Sequence, residues 1–280
     1  MKISEVLQKG FFILKEKNIE FPKLKSRLLM EYLLDKNSQY IIVNDMKELN
    51  EEDEKKYFEY INKLVEGYPI EYITNKKEFM KMNFYVNENV LIPRQDTEIL
   101  VEEVIEIAKR INAKKILDLC TGSGAIAISL AKYLPETDIY AIDISSEALE
   151  VAQKNANINN VKVNFINSDI FENLKEKEFD IIVSNPPYIK TEVCESLNKE
   201  VKKEPLIALD GGNDGLHFYK KIIEQCDKYL KKDGFLCLEI GYDQKDEVVN
   251  IINEKLNFKD TYSKKDLYNN DRIVVTKLRR

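Results

Sequence analysis

The chain has 280 residues, enough for one large domain and a small one; 44% are hydrophobic, which supplies a core, and 33% are charged, which suits a solvated surface. Net charge is −6, with 12 Lys+Arg against 14 Asp+Glu in residues 1–75 and 31 against 35 in the remainder. Neither part has the basic excess of a protein that grips nucleic-acid phosphates, so DNA or RNA is not expected as principal partner. The cysteines, Cys120, Cys194, Cys226 and Cys237, show neither C-x-x-C spacing nor a paired framework. Reduced thiols and a cytoplasmic location are expected. The start holds only a short apolar run between charges, and no later stretch is long enough to span a membrane, so no membrane association is expected.

Residues 1–73 read as helical throughout, within an expected helical domain of residues 1–75. Val6, Leu7, Phe11 and Leu14 recur at helical spacing, as do Leu28, Leu29, Tyr32 and Leu33. Tyr57, Phe58, Ile61, Leu64 and Val65 form a third face, stopped by Gly67 and Pro69. Short helices with one apolar face each must bury those faces together, which predicts a small helical bundle. Residues 76–93 form a linker in which positions 79–92 alternate, and Asn87-Glu88-Asn89 predicts the turn of a β-hairpin.

From residue 94 to 280 the pattern becomes α/β. A helical stretch from Asp96 to Arg110 precedes an apolar strand at 114–120. Strands at 138–144, 161–167 and 179–184 then alternate with helices at 124–133 and 146–158. Such alternation predicts a mostly parallel, Rossmann-like sheet covered on both faces. After a helix at 215–231 comes a strand at 235–241. Strands near 257–263 and 271–278 have no helix between them and predict an antiparallel hairpin at the sheet edge.

The first chemical signal follows the first strand of that sheet. Gly122-Ser123-Gly124 makes a tight turn between strand and helix, and glycine lets a ligand approach the backbone closely. Asp143, about 20 residues on, ends the next strand, where a carboxylate accepts ribose hydroxyls. The loop also satisfies G-x-G-x-x-G/A, so a nicotinamide cofactor and S-adenosylmethionine both fit it. Asp169 ends the third strand and can accept from an adenine amino group, with Ile170 against the ring; a helix N-cap is the competing role for Asp169.

The second signal is sharper. Asn185-Pro186-Pro187-Tyr188 directly follows the fourth strand. The prolines fix φ and remove two backbone donors, so the local backbone can only accept hydrogen bonds. The Asn185 side-chain oxygen is a further acceptor. Converging acceptors suit a planar NH2 group, and Tyr188 can stack on a flat amide or base. His217, the only histidine, has no visible partner and reads as structural; no H-E-x-x-H or C-x-x-C spacing supports a metal.

Asn-Pro-Pro-Tyr is shared by adenine-amino methyltransferases of nucleic acids, but further motifs narrow the match. Pro69–Ile73, Leu91–Glu98, Glu204-Pro205 with Ala208-Leu209, Gly211-Gly212 with Asp214–Leu216, Glu239–Gly241 and Asn270–Arg272 occur in order. With them the chain resembles the peptide chain release factor glutamine methyltransferase family from about residue 69 onward. The resemblance implies a seven-stranded class I methyltransferase sheet behind a helical substrate-recognition domain. It implies S-adenosyl-L-methionine held by Cys120, Thr121, Gly122, Ser123, Gly124, Asp143, Ile170 and Asn185. It implies Asn185, Pro186, Pro187 and Tyr188 as the glutamine site, with Arg94 and Glu98 near the cofactor mouth or the protein substrate. The expected substrate is the glutamine of a Gly-Gly-Gln tripeptide in a release factor; adenine-amino methylation of DNA or RNA is the alternative. Cys120 stands where glycine is common, and Ile170 where a larger aromatic often sits.

Overall fold

The computed structural model describes residues 1–279. The chain folds as two compact units: Met1–Asn75 together with Asn198–Lys203, and Lys76–Leu197 together with the chain from Glu204 onward.

The first unit is helical: α1 (Ile3–Glu16), α2 (Pro22–Leu34), α3 (Ser38–Val43), α4 (Glu51–Val65) and α5 (Ile70–Thr74). The faces read from sequence meet in one core that includes Ile3, Val6, Leu14, Leu29, Met30, Ile41, Tyr57, Ile61 and Leu64. Asn37 and Asn50 cap α3 and α4, their side chains accepting from Tyr40 N and Asp53 N. The Tyr57 hydroxyl, deep in this core, lies 2.6 Å from Ser26 Oγ, which satisfies both buried groups.

The second unit opens with a hairpin of β1 (Lys77–Phe79) and β2 (Met82–Phe84). Its turn is Met80-Lys81, both residues left-handed at φ 50° and 59°, with Phe79 opposite Met82. The expected turn at Asn87–Asn89 is therefore displaced. Those residues do turn, Asn89 N donating to Asn87 Oδ1 at 3.2 Å, but no strand pair flanks them. Two contacts favour the earlier position: Phe79, Met82 and Phe84 are buried in the core of the sheet unit, and Glu98 accepts the Met80 N–H at 2.6 Å.

The remaining elements are α6 (Asp96–Ile111), β3 (Lys115–Leu119), α7 (Ala125–Tyr133), β4 (Asp138–Asp143), α8 (Ser146–Asn159), β5 (Asn164–Asn167), β6 (Phe179–Ser184), α9 (Thr191–Cys194), α10 (His217–Gln225), β7 (Leu230–Glu239), α11 (Lys245–Asn253), β8 (Phe258–Lys265) and β9 (Asp271–Leu278). They build a seven-stranded sheet in the order β5-β4-β3-β6-β7-β9-β8. β3 to β7 pair in parallel, while β9 runs antiparallel to both β7 and β8. Alternate residues of each strand face opposite layers. Ile116, Ile139, Ile181, Val183 and Val275 pack with residues of α6, α7 and α8, whereas Leu117, Ile142, Ile182, Leu236 and Val274 pack with residues of α10 and α11. The order reverses direction at β3, so a crevice opens above the carboxyl ends of β3, β4 and β6, where α/β sheets bind ligands.

Candidate active site

Residues from the ends of these strands line that crevice: Cys120 and Gly122 after β3, Asp143 at the end of β4 with Ile144 and Ser145 beyond it, Ser168 to Ile170 after β5, and Asn185 and Pro187 after β6. Pro205, Ile207 and Ala208 form one wall, and His217, Phe218 and Lys221 of α10 form another. The remaining residues expected at the site, Thr121, Ser123, Gly124, Pro186, Tyr188, Arg94 and Glu98, do not line it.

The loop after β3 is tied down from three sides. Thr121 N donates to Ile142 O at 2.9 Å and Gly122 N to Asp143 Oδ2 at 2.8 Å. Asn155 of α8, fully buried, donates to the carbonyls of both Ser123 and Tyr85 at 2.9 Å. Gly124 has φ 80°, a conformation that strains any residue with a side chain, and a Cβ there would lie 3.1 Å from Ala152 Cβ and 3.3 Å from Ala152 Cα of α8, so the turn favours glycine. Cys120 adopts φ 59°, the left-handed conformation in which the glycine common at this position would be unstrained. Burial pushes its thiol pKa up, and the Asp143 and Asp118 charges add to the shift, so it is a protonated apolar wall rather than a nucleophile.

Asp143 accepts Ser145 N at 3.0 Å through Oδ1 as well as Gly122 N through Oδ2. Burial raises its pKa, and the N–H groups of Ser145 and Gly122 oppose the shift. Beneath the loop, Asp118 is fully buried; Oδ2 accepts from Thr121 Oγ1 at 2.6 Å, and Oδ1 has no hydrogen-bond partner of normal geometry among the described residues. Burial pushes its carboxyl up to about 7, against the Thr121 hydrogen bond. Asp169 does not serve as a helix cap here. It pairs with Lys221 Nζ at 3.1 Å and retains free acceptor capacity toward the cleft.

Asn185 Nδ2 donates to Thr97 Oγ1 of α6 at 3.3 Å. Tyr188 follows with its hydroxyl 3.4 Å from Glu239 Oε1 and its carbonyl accepting from Gln244 Nε2 at 3.0 Å. Burial raises the Tyr188 pKa, and the Glu239 charge raises it further. Gly211 lies against this turn: a Cβ there would be 2.6 Å from Tyr188 Cα. Arg94 pairs with the buried Glu204, whose other oxygen accepts Ile92 N at 3.1 Å. Arg94 thus braces the wall formed by residues 205–208, and Glu98 braces the hairpin turn.

Sequence reasoning missed Asn155, Thr97 and Glu239 as parts of the site. Glu239 had a visible signal: a carboxylate closing the apolar run Phe235–Leu238 is costly to bury unless it has partners. Thr97 and Asn155 gave none, since a polar residue on an amphipathic helix ordinarily faces solvent.

The "Methyltransferase small domain" family matches residues 95–204 and the "PrmC N-terminal domain" family residues 5–74. A "Release factor glutamine methyltransferase" of Clostridium acetobutylicum is 44% identical over 98% of each chain, and one of Clostridium botulinum is 42% identical over 98% of each. A methyltransferase structure from Pyrococcus furiosus, 20% identical, covers 72% of this chain and 91% of its own with a TM-score of 0.51, a likeness of fold alone. With near-complete coverage at this identity, the chain belongs to the release factor glutamine methyltransferase family.

Proposed function

We propose that the protein transfers a methyl group from S-adenosyl-L-methionine to the side-chain amide nitrogen of the glutamine in the Gly-Gly-Gln tripeptide of a peptide chain release factor, in the cytoplasm. The observation that carries the reading is the fixed Asn185 amide: its Nδ2 is engaged by Thr97, which leaves Oδ1 as the acceptor at a cleft-lining position.

The cleft residues fit the cofactor. Asp143 offers its carboxylate to the ribose hydroxyls, Asp169 offers an acceptor to the adenine amino group, and Ile170, Phe218 and Pro205 supply apolar walls for the ring. Cys120 to Gly124 contribute backbone, in keeping with a loop whose conformation matters more than its side chains. The bound cofactor supplies an electrophilic methyl group on a sulfonium.

An amide nitrogen is a poor nucleophile, because its lone pair is delocalised into the carbonyl. The chain's contribution is therefore positioning. Asn185 Oδ1 and the Pro187 carbonyl, from the two residues of the donor-free turn that line the cleft, accept the two amide N–H bonds, orient the nitrogen and favour its developing positive charge. Tyr188 holds the turn from behind, with its hydroxyl on Glu239. Fixing two reactants in near-attack geometry contributes about 7–11 kcal/mol, and each preorganised acceptor about 3–4 kcal/mol by analogy with oxyanion-hole donors. The helical unit reads the release factor outside the tripeptide, and Arg94 and Glu98 act indirectly by bracing walls of the fold.

Incubation with methyl-labelled cofactor and a release factor tests this. Label confined to the Gly-Gly-Gln peptide is expected. Label on oligonucleotides instead would establish adenine-amino methylation and overturn the reading.

A further inference from the structure

The cleft holds a charged pair whose second member the proposed chemistry does not use. Asp169 follows β5, and Lys221 lies on α10, 52 residues later. Lys221 Nζ donates to Asp169 Oδ2 at 3.1 Å, and both residues line the cleft. Among the described residues Lys221 is the one hydrogen-bond partner of this carboxylate. Phe218, about one turn earlier on the same helix face, lines the cleft as well.

The turn that carries Asp169 is costly to build. Ile170 is buried and has φ 51°, and a β-branched residue in the left-handed region is strained. Neighbouring bonds hold it there: Ser168 N donates to Asp143 O at 3.0 Å, Asn173 N to Ser168 Oγ at 2.8 Å and Glu172 N to Asp169 O at 3.1 Å. The backbone at Asp169 is therefore fixed, while its side chain keeps two torsions. An unpaired carboxylate would turn its charge to water rather than face a neutral ring.

A carboxylate has two oxygens, and each can accept. Lys221 engages Oδ2 from α10, which leaves Oδ1 for a ligand and compensates the charge that a bound base would desolvate. Lys221 has no acceptor of its own, so it cannot take the hydrogens of an amino group. We infer that Lys221 is a positioning residue for cofactor recognition: its ammonium holds the Asp169 carboxylate in the orientation that accepts the 6-amino group of adenine, so the pair, rather than Asp169 alone, selects adenine. This rests on the reading of Asp169 as the acceptor for that amino group. The two side chains are 39% and 28% exposed, so the pair acts on orientation and adds little to fold stability.

Calorimetry on the full-length protein with two probes tests this: S-adenosylhomocysteine, and the analogue in which purine replaces adenine and only the 6-amino group is missing. The wild type is expected to bind the adenine compound about tenfold or more tighter. Lys221→Met is expected to cut that preference to about threefold or less, to leave affinity for the purine compound within about twofold, and to keep Tm within about 2 °C. Lys221→Arg keeps most of the preference. Asp169→Ala removes it, and adding Lys221→Met to that variant changes nothing further, because the two residues act as one unit. A purely structural role for Lys221 would weaken both probes alike. That result, or a wild-type preference that survives in Lys221→Met, would overturn the inference. A wild type that binds both probes equally removes the reading of Asp169 and the inference with it, and one that binds neither removes the cofactor assignment.

Discussion

The backbone N–H of Gly122 donates to the Asp143 carboxylate at 2.8 Å, so the acceptor proposed for the ribose also anchors the loop proposed to cradle the cofactor. Asp143→Ala removes both roles. Cofactor affinity is expected to fall by about 1.5–3 kcal/mol, on the order of 10- to 100-fold, measured by calorimetry. Asp143→Asn keeps one acceptor for Gly122 and is expected to fall between the two.

Asn185→Ala deletes the side-chain acceptor but leaves the proline turn in place. Turnover is expected to fall about a hundredfold or more while the fold survives. Unchanged turnover in single-turnover kinetics would remove Asn185 from the mechanism.

Asp118 predicts a pH dependence of stability. Its folded pKa is raised from 3.8 to about 7 by burial, so the folded state favours its neutral form. The stability this contributes is fully present below the unfolded pKa of about 4 and is lost as pH rises through about 7. Thermal denaturation of the cofactor-free protein should show Tm declining over that window. Asp118→Asn should flatten the decline; an unchanged slope would contradict the assignment.

Gly10 is buried in the middle of α1, where alanine ordinarily stabilises a helix by about 1 kcal/mol. Here a Cβ would sit 2.9 Å from Tyr57 Cε1 and closer still to its hydroxyl. Gly10→Ala is therefore expected to destabilise by about 1–3 kcal/mol despite the propensity gain, read as a lower Tm. A raised Tm would mean that the Tyr57–Ser26 pair moves aside easily.

Glu204 is buried, and it holds both Arg94 and Ile92 N. Glu204→Ala is expected to cost about 1.5–3 kcal/mol and to speed cofactor release, because Pro205 and Ile207 lose their anchor. Stopped-flow dissociation of the cofactor checks the second effect.

The strand–helix alternation made the sheet legible from sequence, since buried parallel strands are nearly pure apolar runs. The antiparallel ending was legible too, because no helix separates β8 from β9. Two features misled. Asn87–Asn89 has the composition of a hairpin turn, but the pairing is decided by tertiary burial of Phe79 and Phe84, which composition does not report. β7 begins at Leu230, five residues before the apolar run at 235, because Lys231–Gly234 hides its first pairing with Phe179 behind a register shift. The cleft-lining members Cys120, Gly122, Asp143, Asp169, Ile170, Asn185 and Pro187 were legible because loop and turn chemistry is local. His217 was read as structural, yet it lines the same cleft from α10. Thr97 is far from Asn185 in the chain, and Glu239 far from Tyr188, and each pair meets only through the topology of α6, β6 and β7.

Methyl transfer to glutamine is measured most directly by mass spectrometry of a release factor incubated with this protein and S-adenosylmethionine. One added methyl is predicted on the glutamine of the Gly-Gly-Gln tripeptide, absent when Asn185→Ala replaces the wild type. An unmodified tripeptide, or the methyl on any other residue, would contradict it.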